Sequence, residues 1–175
     1  MKKFVKVFAV IIALLCVFST FVGCNDAQNE NKDEKEDSKG VEYYITYKGT
    51  KIELDRKADS VLSALGTPKS TASLGDCGGF GTQTKYVYND IVVYTLKNDN
   101  GETIDQITLS NDIVETEKGI CIGDSSDDVI AAYGEPNTKT DSKLEYQKGS
   151  LYIKFGLENG DVKSINFIRV LTENN

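Results

Sequence analysis

The chain has 175 residues, with 20 Lys and Arg against 27 Asp and Glu, a net charge of −7, and neither histidine nor tryptophan. Without histidine, Ser-His-Asp triads, Cys-His dyads and imidazole-based zinc sites are excluded. An acidic balance with no basic patch argues against nucleic acid as a partner, because nothing offsets phosphate repulsion.

In chain order, Lys2, Lys3 and Lys6 lead into an unbroken apolar run from Val7 to Phe18, and the stretch closes on Phe21-Val22-Gly23-Cys24. A basic start, a short apolar segment and small residues before a cleavage point form a secretory signal. The apolar run gives about 18 Å of helix, short of the roughly 20 residues a membrane span needs. Ending on cysteine, the stretch resembles a bacterial lipoprotein signal, with a departure at Phe21, where leucine is usual. The resemblance implies that residues 1–23 are removed and that Cys24 becomes a diacylglyceryl-modified N-terminus. Two acyl chains give stable attachment, so the lipid bilayer is an expected partner and the extracytoplasmic face of the cell membrane the expected location. Loss of the three leader lysines leaves 17 basic against 27 acidic residues, a net −10. Residues 24–40 lack aromatic and branched aliphatic side chains, so they read as a flexible acidic tether that cannot offset its ordering entropy.

The remainder repeats itself, giving unit 1 at 41–112 and unit 2 at 113–175. Lys51–Pro68 aligns with Gly119–Pro136 at a constant offset of 68, pairing Ile52 with Ile120, Val61 with Val129, Gly66 with Gly134 and Pro68 with Pro136. Each unit is expected to open with a short strand, followed by a helix of about two to three turns. Ala58, Val61, Leu62 and Leu65 then form one apolar stripe. Ser125 with Asp128 reads as a capping box, and Gly66 and Gly134 as helix stops. Antiparallel strands follow, with Asn100-Gly101 and Asn159-Gly160 as hairpin turns. Ile107, Leu109, Ile165 and Phe167 face inward, as do Val92, Tyr94 and Leu96. The expected fold class is α+β, a tandem duplication of a strand-helix-antiparallel-strands unit with its helices packed on one sheet face.

The motif I-x-I-G-x-[ST]-x-x-[DE]-V-x-x-x-[YL]-G-x-P, followed by antiparallel strands, resembles the β-lactamase-inhibitor protein fold and the small lipoprotein of the outer-membrane β-barrel assembly machinery. The stretch from Cys77 to Pro136 is similar to a family of uncharacterised clostridial lipoproteins with this duplication. The resemblance covers roughly 43–170 and implies protein binding through a surface that differs between relatives. No contact residue carries over.

Four features are candidates for chemistry. Cys77 and Cys121, left once Cys16 departs with the leader and Cys24 is lipidated, are expected to form a disulfide in an oxidising compartment. It would close a loop of about 44 residues, worth roughly 4 kcal/mol. Asp124, Asp127 and Asp128 sit at a helix start, where carboxylates cap free N–H groups; no calcium-loop pattern, metal site or cofactor is expected. The Gly75–Gly81 loop lacks the Lys-Ser/Thr of a phosphate cradle and reads as a binding loop offering Phe80. Finally, Thr95, Gln106, Thr108, Tyr152 and Lys154 are placed on the helix-free sheet face as a polar, tyrosine-bearing contact surface.

The reading is a membrane-anchored, non-enzymatic lipoprotein that binds another protein or a cell-envelope component in inhibitor-like or assembly fashion. The alternatives are a carboxylate-based envelope hydrolase, which needs two facing acids, and a small-ligand sensor, which needs an enclosed apolar pocket.

Overall fold

In the computed structural model, which describes residues 43–172, strands are the main regular structure. A hairpin of β1 (Tyr44–Tyr47) and β2 (Thr50–Glu53) comes first, then helix α1 (Ala58–Leu65). Four strands follow: β3 (Ser70–Asp76), β4 (Thr82–Val87), β5 (Ile91–Asn98) and β6 (Gly101–Leu109). Helix α2 (Ser126–Tyr133) leads into β7 (Thr138–Thr140), β8 (Lys143–Lys148), β9 (Leu151–Glu158) and β10 (Asp161–Arg169). β3 to β10 form one eight-stranded sheet in the order β3-β4-β5-β6-β10-β9-β8-β7, antiparallel throughout.

The α+β expectation, a tandem strand-helix-strands duplication with a helical layer, is overturned: the architecture is mostly β, with two helices of only eight residues each. The reason lies in which segments found partners. Gly119–Cys121 forms no strand, whereas the aligned Lys51–Glu53 lies in β2. β3 and β7, exposed along their whole lengths, show no apolar alternation, yet they pair into the sheet and widen it. Backbone pairing, not side-chain burial, recruits them. The helices are too short to make a layer. α1 buries Ala58, Val61 and Leu65, as its stripe requires, but α2 buries only Val129.

Local signals did set the turns. Asn159 and Gly160, at φ 55° and 86°, form the two-residue β9–β10 loop, a geometry that fits the twist of the flanking strands. The β5–β6 loop is Asp99-Asn100, one residue earlier than expected, with Gly101 opening β6 opposite Asn98. The Ser125–Asp128 capping box is complete, and Gly66 and Gly134 end the helices at φ 74° and 82°.

The core lies between one sheet face and its cover of α1, α2 and the β1–β2 hairpin. Cross-strand partners share a face, so Ile91, Leu109, Ile165, Phe155 and Leu144 form one buried row and Val93, Ile107, Phe167, Ile153 and Tyr146 the next. Ile45, Ile52, Val61 and Val129 close over them in the same cluster. The leader at 1–23, Cys24 and the tether at 24–40 lie outside the described residues. Among those described, no helix is long and apolar enough to cross a membrane.

Candidate functional site

The face opposite the core carries two rows of side chains that run across the strands. Lys85, Tyr94, Gln106, Ile168, Tyr152 and Gln147 make one row. Val87, Val92, Thr108, Asn166, Lys154 and Glu145 make the other. The described helices and the β1–β2 hairpin place their buried residues in the core cluster on the other side.

Hydrogen bonds knit the rows together. Gln106 Nε2 donates to Thr108 Oγ1 (3.3 Å), and Thr108 Oγ1 donates to Asn166 Oδ1 (2.9 Å). Lys143 and Lys154 clamp Glu145 at 2.6 and 2.8 Å, and their hydrogen bonds hold its carboxyl below the ordinary glutamate range. Lys154 also lies 5.4 Å from the centre of the Tyr152 ring, and Lys85 5.9 Å from that of Tyr94, both within cation–π range. These contacts fix side-chain positions on a partly exposed surface.

Four of the five residues expected on this face, Gln106, Thr108, Tyr152 and Lys154, are on it together. Thr95 is not. It sits opposite Thr84 and Ile104 on the core side, fully buried, and donates to Glu102 Oε1 at 2.5 Å. Ile91 to Leu96 offers almost no polar alternation, so the sequence leaves its facing open, and a one-residue slip flips every side chain. Tyr94 and Val92 take the outward places instead.

At one margin of this surface a bulge in β6 offsets Asp105 from the ladder. Asp105 accepts from Gln83 Nε2 at 2.9 Å and Arg169 Nε at 3.4 Å. Arg169 also donates to Thr103 Oγ1 (3.0 Å) and is paired with Asp55. Sequence reasoning missed this ion-pair network because its members are far apart in the chain. The only local hint was an arginine at the end of a strand, directly after the apolar pair Phe167-Ile168.

The disulfide expectation is corrected: Cys77 and Cys121 are free thiols. Cys77 follows β3 at the strand ends marked by Thr82, Lys97 and Glu102, whereas Cys121 lies by the start of β10, beyond the Leu109–Ile165 pair. Seven strand residues separate those two ends, on the order of 20 Å, and a bridge needs Cα atoms within about 7 Å. Burial, with Asp124 alongside, pushes the Cys121 thiol up to about 11.

Phe80 is half-buried in the β3–β4 loop, a turn closed by Cys77 N donating to Gly81 O (2.8 Å) and Gly79 N donating to Asp76 Oδ2 (2.8 Å). Asp128 caps α2, and Asp124 accepts from Cys121 N at 2.8 Å. Among the described residues no cluster of three or more metal-type ligands occurs. Two cavities, of 310 Å³ beside Tyr44 and Glu117 and 430 Å³ beside Leu144 and Asn159, are both open to solvent.

No protein-family model, curated protein or solved structure matches the chain.

Proposed function

We propose that this is an extracytoplasmic lipoprotein, tethered to the membrane through Cys24, whose sheet binds another protein or a cell-envelope component without chemical conversion. What carries the reading is the pair of ordered rows on the outer sheet face, with Tyr94 and Tyr152 set among Gln106, Thr108, Asn166 and Lys154. Tyrosines flanked by fixed polar groups supply contact area at low entropic cost. The carboxylates of this face are committed elsewhere. Glu145 is neutralised by two lysines and Asp105 is bonded to Gln83 and Arg169, an arrangement that suits anchoring more than general acid catalysis.

The test is site-specific photocrosslinking in intact cells, with a benzophenone side chain at Tyr152 or Tyr94 and a control at the α2 surface position Asp127. The expected result is one reproducible adduct from Tyr152 and Tyr94 and none from Asp127. Adducts of equal yield from all three positions, or hydrolysis of envelope polymer by the purified chain, would overturn the reading. The double variant Gln106→Ala/Tyr152→Ala is expected to lose the adduct formed from Tyr94, while its stability changes by no more than about 1 kcal/mol.

A further inference from the structure

We infer that the outer edge of β3 is a self-association strand: two copies of the chain pair antiparallel along it, joining their sheets into one. This surface is separate from the face described above and does not depend on it. The two edges of the sheet are built differently. β7 is three residues long, with Lys139 at its centre, the short charged design that blunts an edge. β3 is seven residues long, exposed at every position, and uncharged from Ser70 to Gly75. It displays Leu74 at 51 % exposure, one of three large apolar residues so displayed among those described. Its N–H and C=O groups on the side away from β4 have no neighbouring strand among the described residues. Main-chain groups of this kind are a template on which another strand can pair.

Charge specifies which strand. Lys69 precedes the uncharged run and Asp76 ends it. A two-fold axis through the middle of the run therefore brings Lys69 of each copy beside Asp76 of the other, at both ends of the joint. The interface is isologous and closes at two copies. A parallel arrangement would set lysine by lysine and aspartate by aspartate, which costs free energy.

The test exploits geometry. Within one chain Lys69 and Asp76 are separated by seven strand positions, roughly 20 Å, so a zero-length amide between them forms only across two chains. A 1:1 mixture of ¹⁴N- and ¹⁵N-labelled full-length chain in mild detergent is treated with a carbodiimide and digested. The expected product is a Lys69–Asp76 link carrying one light and one heavy partner. In sedimentation, Lys69→Glu and Asp76→Lys are each expected to lose the concentration-dependent dimer of the parent, and an equimolar mixture of the two to regain it. The leader segment is common to all samples, so only the differences between them count. Absence of the mixed-isotope link in the parent chain, or charge-reversed variants that sediment like it, would overturn the inference.

Discussion

Glu117 carries the least comfortable charge among the described residues. Both of its carboxylate oxygens, and the hydroxyl of Tyr133 that faces it, are shielded from solvent without a well-formed hydrogen bond. Burial raises the Glu117 carboxyl above its ordinary value. A carboxyl whose folded value exceeds its unfolded one holds its proton more tightly in the native state. Stability is therefore highest below the ordinary glutamate value and falls as pH rises through the raised one. Glu117→Gln is accordingly expected to raise the Tm near pH 7 and to change it much less near pH 4, read by thermal melts across that range. Gly81 is constrained in a different way. At φ +132° an added Cβ would sit 2.3 Å from the Lys97 carbonyl oxygen, a backbone atom that cannot swing aside. Gly81→Ala should cost about 2 kcal/mol or more by denaturant titration. Loss of amide protection at Cys77, whose N–H closes the loop, would place the damage in the β3–β4 turn.

At the scale of elements, the two helices are held by different means. α2 has the Ser125–Asp128 capping box, whereas α1 starts at Lys57 with no side-chain cap and relies on its buried stripe. Ser125→Ala is expected to cost about 1 kcal/mol. The hydrogen bonds from Ser125 also lower the Asp128 carboxyl, so this contribution is present above the ordinary aspartate value and lost as pH falls through the lowered one. The stability difference between parent and variant should therefore shrink in acid. The stripe of α1, the cap of α2 and the β9–β10 turn were all readable in the sequence because each is a contact between residues a few positions apart. The inward facing of β5 was not, since Ile91, Val92 and Val93 are equally apolar and only pairing with β4 and β6 chooses among them.

For the whole molecule, the Arg169 network ties the β2–α1 loop to the sheet through Asp55 and Asp105. The Arg169 and Asp105 side chains are 15 % and 7 % exposed, so removing the cation leaves a poorly solvated carboxylate behind. Arg169→Ala is expected to cost about 3 kcal/mol, and Arg169→Ala with Asp105→Asn less than the two single losses combined. Chemical denaturation of the four species closes the cycle; additive losses would show the pair to be uncoupled. The outer-face rows belong to this scale as well. Gln106 and Tyr152 were recognisable as outward-facing within their own strands, but their alignment in one row follows from β6 and β9 both flanking β10.

Local features are written in the order of residues: where the chain turns, which helical face is apolar, how α2 is capped, and that imidazole chemistry is absent. Each follows from residues close enough along the chain to constrain one another directly. Long-range pairing set the rest: that one eight-stranded sheet dominates the described residues, that polar segments such as β3 and β7 are strands, that Thr95 is buried, and that Cys77 and Cys121 stand at opposite ends of the strands. Those outcomes depend on which backbone finds which partner, and main-chain hydrogen bonding is common to every residue, proline lacking only the donor.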